Sequence, residues 1–201
     1  MQKTLVIFVK EPRPGRAKTR LGKGIGMVAS ARWFRRQSLS LIRRLCADPR
    51  WETVLAVSPD REGLESAVWP QFSALARHPQ GRGDLGDRMS RVFREFPYGP
   101  VVIIGADIPG ITNAHIRQAF EAFGDHEAVF GPADDGGYWL VGLKRLAAAP
   151  PGFMRGVRWS TQHALSDTKA TLPSQWRVAE LETLRDVDTV EDLHALDGGG
   201  S

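Results

Sequence analysis

Cysteine is almost absent from this sequence: Cys46 is the only one in 201 residues. A single thiol excludes a disulfide framework and any zinc site built on thiolates. It falls within a helical pattern, which fits a structural thiol better than a nucleophile. The five histidines (His78, His115, His126, His163 and His194) show no metal-binding spacing. No Gly-x-Ser-x-Gly elbow occurs, so that type of serine nucleophile is missing. No apolar run reaches the length of a membrane span, and the N-terminal apolar stretch is too short for a signal peptide. A cytoplasmic protein is therefore expected. Internal repeats, low-complexity segments and linker-like stretches are also missing. The chain reads as one domain over 1–197, with 198–201 as a flexible Gly-Gly-Gly-Ser tail.

The composition is otherwise ordinary, with 42% hydrophobic and 25% charged residues and a formal charge of +4. The charge is concentrated. Lys10, Arg13, Arg16, Lys18, Arg20 and Lys23 face the single acid Glu11, so one loop carries +5. The rest of the molecule is close to neutral. A polyanion partner has to be weighed, but the protein reads as a near-neutral body carrying one basic loop.

Buried-strand patterns occur at Leu5–Val9, Thr53–Val57, Val101–Ile104, 127–131, 138–141 and, more weakly, 177–181, with an edge strand at 73–77. Helical stripes lie between them: Met27 to Leu45, 62–69, Leu85 to Phe96, and Ile116 to Phe123 behind a Thr112 cap. A helical turn at 144–149, a short helix opening over 160–165 and a last helix over 190–196 complete the reading. Strands alternating with helices predict an α/β fold. Arg32, Arg35, Arg36, Arg43 and Arg44 fall off the apolar stripe and read as a solvated face.

Four stretches carry chemistry. Val101-Val-Ile-Ile-Gly-Ala-Asp-Ile-Pro-Gly110 ends a buried strand in two small residues and then Asp107, at the strand end where open α/β sheets bind ligands. Gly83-Asp-Leu-Gly-Asp-Arg-Met89 is either a helix cap or a backbone cradle for a ligand. In Asp134-Asp-Gly-Gly-Tyr-Trp139, Gly136 and Gly137 let backbone approach a ligand, and Tyr138 and Trp139 offer rings to a base or sugar. In Asp186-Val-Asp188, extended backbone turns both carboxylates one way and Val187 into the core. A helix cap would account for Asp188 but not for Asp186. Acids, glycines and a basic loop together suit a hard divalent cation, Mg²⁺ or Mn²⁺, bridging to phosphate oxygens.

The same motifs, with Phe8 to Leu21 and Asp186 to Leu193, occur in order along almost the whole chain. Together they resemble a bacterial family of glycosyltransferase-A-like proteins. That resemblance implies the nucleotide-diphospho-sugar transferase fold: three layers, with a mostly parallel central sheet and helices on both faces. The basic loop and the Asp-x-Asp-Thr ending are also similar to 2-phospho-L-lactate guanylyltransferase and, more distantly, to molybdenum cofactor guanylyltransferase. Those enzymes open the loop with a small-residue turn, whereas this chain has the stiffer Lys-Glu-Pro-Arg-Pro-Gly.

Carried over by motif, the resemblance implies that Lys10, Arg16, Lys18 and Arg20 contact phosphates and that Asp107, Asp186 and Asp188 hold Mg²⁺ or Mn²⁺. Asp134 or Asp135, with Asp135 preferred, would orient the acceptor or act as base, beside Gly136 and Gly137. The expected function is metal-dependent transfer from a nucleotide-sugar donor to a small-molecule acceptor. Nucleotidyl transfer from a nucleoside triphosphate is the alternative. A non-catalytic binder of nucleic acid or another polyanion is the rival; it leaves the aspartates without a role.

Overall fold

Strand β1 (Thr4–Lys10) sets the plan of the molecule, because its side chains divide the core in two. Leu5, Ile7 and Val9 enter one apolar layer, with Leu41, Ile42, Ile116 and Phe120. Val6 points the other way and packs with Met89, Phe93, Phe130 and Val141. Strict alternation in a fully buried strand requires cover on both faces, and helices supply it. The computed structural model describes residues 1–65 and 69–198.

After β1 come α1 (Thr19–Ile25), α2 (Met27–Cys46), β2 (Glu52–Ser58), α3 (Asp60–Leu64) and β3 (Ala76–Pro79). Then follow α4 (Leu85–Glu95), β4 (Val101–Gly105), α5 (Asn113–Ala122), β5 (Ala128–Pro132) and β6 (Tyr138–Leu143). The chain ends with α6 (Ala164–Ala170), β7 (Val178–Glu180) and α7 (Val190–Gly198). Among the described residues, seven strands form one sheet in the order β3-β2-β1-β4-β6-β5-β7. Only β6 runs antiparallel to its neighbours, β4 and β5. Helices α2 and α5 cover one face and α4 covers the other. This is the expected three-layer, mostly parallel α/β sheet. No helix among the described residues is long and apolar enough to cross a membrane.

Several local expectations change. The loop after β1 contains a helix, α1, which Gly22, Gly24 and the surrounding cations hid from a reading based on apolar stripes. Its Gly24 lies so close to Val190 of α7 that an added Cβ would stand 2.1 Å from Val190 Cγ2. The edge strand lies at Ala76–Pro79 rather than 73–77. No helical turn forms over 144–149, because Arg145 takes a left-handed backbone and its buried guanidinium donates to Phe96 O and Pro97 O at 2.9 Å each. Of the helix expected over 62–69, Asp60–Leu64 is helical and 66–68 lie outside the described residues. Of the expected tail, Gly198 ends α7 and 199–201 lie outside them as well.

The order of strands determines where a ligand can sit. From β1 the chain moves outward to β2 and β3, then returns to place β4 on the other side of β1. The carboxyl ends of β1 and β4 therefore flank a switch point, where helices leave the sheet in opposite senses and open a crevice. Because β6 is antiparallel, its start at Tyr138 lies at the same sheet end, paired with Pro132. A parallel bridge between Ala133 and Leu184 brings residues 184–188 there too.

Candidate active site

The crevice is a cleft of about 730 Å³ over these strand ends. A volume of this size accommodates a small molecule such as a nucleotide. At its centre, Lys18 Nζ lies 2.8 Å from Asp107 Oδ2 and 2.6 Å from Asp188 Oδ1. The Lys18 side chain is 5% exposed, whereas those of Asp107 and Asp188 are 36% and 34% exposed. Arg20 NH1 approaches Asp188 Oδ2 at 3.5 Å from the solvent side. Residues from β1–α1, β4 and the segment before α7 thus meet at one charged point.

Each side chain is delivered by a local device. Lys18 precedes α1 with φ 47° and ψ 51°, a left-handed conformation costly for a non-glycine residue and held here by two ion pairs. Gly105 leaves room for Asp107, since a Cβ there would stand 2.8 Å from Asp107 Oδ1. Arg44 NH1 donates to Ile111 O at 2.6 Å and Pro109 O at 3.4 Å, tying α2 to the loop beyond Asp107. This arginine was expected on a purely solvated face. Val187 is 1% exposed, and Asp186 and Asp188 on either side of it both line the cleft, as the alternation predicted.

Helix α7 is capped without using the Asp188 carboxylate. Asp192 Oδ2 accepts from the amides of Asp188 and Thr189 and from the Thr189 hydroxyl, and Asp192 N donates to Thr189 Oγ1. Burial opposes charge on Asp192, yet these bonds and Arg185 bring its pKa down to about 2. The Asp188 carboxylate remains available to Lys18.

The electrostatics follow from this crowding. Burial opposes charge on Lys18, but Asp107 and Asp188 together more than offset it and hold its pKa above the usual value. Asp186 is pushed up to about 6, first by burial, then by Asp188, with Asp107 and Asp135 adding and Lys18 opposing. The cluster thus carries more negative charge than Lys18 alone neutralises.

Lys10, Arg16, Lys18 and Arg20 all line the cleft, together with Asp107, Asp135, Asp186 and Asp188. Asp135 Oδ1 accepts from Gly137 N at 2.8 Å, and Gly137 lines the cleft too. Asp134 and Gly136 are not among the lining residues. Gly136, at φ +82°, fits against Gln162, and a Cβ there would stand 2.3 Å from Gln162 O. The close approach at this glycine is made by the chain itself. Trp139 borders the cleft but is 2% exposed and donates its indole N–H to Glu182 O, so its ring is not a free stacking surface. Asp84 forms a reciprocal cap with Asp87 at the start of α4 and also lines the cleft.

Two parts of the wall were missed from sequence. Trp159, Ser160 and Thr161 also border the cleft, with Trp159 packed on Tyr138. A tryptophan beside hydroxyl residues in an unpatterned stretch was the available signal. Gln80, 3% exposed, lines the cleft and donates to Ala56 O and Val9 O, where β1 and β2 end.

Among the described residues, no three His, Cys, Asp or Glu side chains form a ready-made metal cage. Asp107 and Asp188 do converge, since both reach Lys18 Nζ. Two carboxylates with all-oxygen donors suit Mg²⁺ or Mn²⁺, which completes its shell with water and phosphate oxygens.

Comparison with known proteins bears on the fold. A family model, DUF2064, described as an uncharacterized protein conserved in bacteria, matches residues 41–161. No curated protein matches the chain. Among solved structures, a Desulfovibrio desulfuricans G20 protein named for the nucleotide-diphospho-sugar transferases is 28% identical with a TM-score of 0.82. The match covers 98% of this chain and 87% of that one. Rv0371C from Mycobacterium tuberculosis H37Rv, solved with manganese, has 18% identity, a TM-score of 0.54 and 98% coverage of both chains. The 4-diphosphocytidyl-2C-methyl-D-erythritol synthase of Anaerococcus prevotii DSM 20548 has 10% identity, a TM-score of 0.60 and 98% coverage of both. The neighbours include nucleotide-using transferases, and the chain has their fold. With the family model covering residues 41–161, more than half of its length, this protein belongs to the DUF2064 family of conserved bacterial proteins.

Proposed function

We propose that this protein is a transferase that binds a nucleotide donor together with a divalent cation and passes a glycosyl group to a small-molecule acceptor. The observation that carries the reading is the convergence of Lys18, Asp107 and Asp188 at the switch-point cleft, which Lys10, Arg16 and Arg20 also line. A diphosphate needs positive charge and a bridged cation at one place, and few other ligands would use both the acids and the bases here.

Asp107 and Asp188 would hold the cation, with Asp186 adding negative charge beside them. The bound metal would supply Lewis acidity toward the diphosphate oxygens. Lys18 and Arg20 would stabilise the charge that grows on the leaving diphosphate. Asp135, Tyr138, Trp159, Ser160 and Thr161, which also line the cleft, would border the acceptor. The acceptor oxygen bonds to the sugar carbon, the bond from that carbon to the diphosphate breaks, and Asp135 takes the hydroxyl proton. Asp135 is exposed and sits beside the acid cluster, which suits a proton acceptor at the cleft mouth.

A second reading, nucleotidyl transfer from a nucleoside triphosphate, is favoured by the number of cations: Lys10, Arg16, Lys18 and Arg20 exceed what a diphosphate alone needs. A melting-temperature panel of nucleoside di- and triphosphates and nucleotide sugars, with and without Mn²⁺, tests both. A ligand that binds only the folded chain raises the melting temperature. Mn²⁺-dependent shifts with nucleotide sugars support glycosyl transfer. Shifts confined to triphosphates favour the second reading. No shift with any nucleotide rejects both.

A further inference from the structure

Lys18 stands where a cation between Asp107 and Asp188 would stand. Its ammonium reaches Asp107 Oδ2 at 2.8 Å and Asp188 Oδ1 at 2.6 Å, and its side chain is 5% exposed. These are full charge-assisted contacts, and among the described residues no other cation comes as close to either carboxylate. Arg20 is 69% exposed and reaches Asp188 at 3.5 Å. Lys18 reaches this point from a left-handed backbone at the first step into α1. The site is therefore preassembled around an internal cation.

A divalent ion seeking the same two carboxylates meets a buried like charge already paired to them. The two oxygens that Lys18 holds, Asp107 Oδ2 and Asp188 Oδ1, cannot both turn to an incoming ion unless that ammonium withdraws. Withdrawal leaves Lys18 buried beside a dication, which is unfavourable unless another anion receives it. A phosphate lying between the basic loop and the carboxylates supplies that anion. We propose that Lys18 is a resident counter-ion that keeps Asp107 and Asp188 closed to a free divalent cation, and that a diphosphate opens the pair by accepting the Lys18 ammonium. Cation and nucleotide then load together, and cation alone binds poorly. The inference rests on the reading of the cleft as a diphosphate and metal site.

The test is Mn²⁺ binding to the purified full-length chain, followed by electron paramagnetic resonance without turnover, with Mn²⁺ alone and with UDP or GDP added. Wild type should bind Mn²⁺ alone weakly and at least about tenfold more tightly with one of the nucleotides. Lys18→Met should bind Mn²⁺ alone at least about tenfold more tightly than wild type and lose most of the nucleotide dependence. Because Lys18→Met strips two carboxylates of their partner, Lys18→Gln, which keeps an amide donor without charge, is measured beside it and should show the same gain. Lys18→Gln with Asp188→Asn should lose the gain. If neither Lys18 variant binds Mn²⁺ more tightly than wild type while wild type still binds Mn²⁺ with nucleotide, the counter-ion role is wrong and the site reading stands. If no form binds Mn²⁺ under any condition, both are overturned.

Discussion

Arg44 NH1 donates to Ile111 O at 2.6 Å, joining the last turn of α2 to the loop that starts at Asp107. The contact crosses 67 residues of sequence and fixes the backbone that aims a central carboxylate of the cleft. Arg44→Ala should lower stability by about 1 kcal/mol, the usual net worth of such bonds. It should also weaken Mn²⁺-dependent nucleotide binding several-fold, read by calorimetric titration. A variant that loses stability but binds nucleotide normally would limit Arg44 to a structural role.

Lys18 and Arg20 approach the same carboxylate, Asp188, from the buried and the solvent side. With divalent cations chelated, Lys18→Ala combined with Arg20→Ala should reduce nucleoside diphosphate affinity by at least about tenfold. Affinity for the matching nucleoside should change by less than about twofold. Equal losses for the two ligands would mean that the loop does not grip phosphate.

Gly136 is predicted to be a packing position. A side chain there would require a residue at φ +82° with its Cβ 2.3 Å from Gln162 O. Gly136→Ala should cost more than about 1 kcal/mol, because both the conformation and the space are wrong. Chemical unfolding with urea measures it. A change within about 0.5 kcal/mol would show that the segment before α6 can move aside.

Asp186 gives the protein a pH dependence. Its folded pKa of about 6 lies above the ordinary value of 3.8. The unfolded chain therefore releases this proton first, and stability from the neutral carboxyl is fully present below about pH 4 and lost as pH rises through 6. Asp186→Asn should be more stable than metal-free wild type at pH 7.5 by on the order of 1 kcal/mol, after discounting for solvent screening at this half-buried site. The advantage should vanish at pH 4, and urea midpoints at the two pH values check it. An equal advantage at both would place its origin elsewhere.

The β-branched runs made the sheet legible, since Leu5–Val9 and Val101–Ile104 have no plausible use except as strands buried on both faces. The same property limited the reading of β6. When both faces of a strand are buried, alternation does not say which ring is free: Tyr138 and Trp139 both border the cavity, but Trp139 is 2% exposed with its indole N–H bonded to Glu182 O. Helix α1 was hidden because its seven residues bury little beyond Leu21. The aspartates were found from position, at a strand end and on one side of an extended segment. Their pairing with Lys18 was not legible, because charge alone does not choose a partner 170 residues away. The wall at 159–161 was missed for a related reason: its place beside Tyr138 depends on tertiary packing, not on any local pattern.

The central claim is that Asp107 helps hold a cation against a nucleotide diphosphate, and Asp107→Asn tests it while keeping size and one oxygen. Nucleotide binding should be measured by calorimetry on wild type and variant, with and without Mn²⁺, using the nucleotide that stabilises wild type most. The account predicts that Mn²⁺ strengthens binding to wild type and has no effect on Asp107→Asn. An unchanged Mn²⁺-dependent affinity in the variant would contradict it.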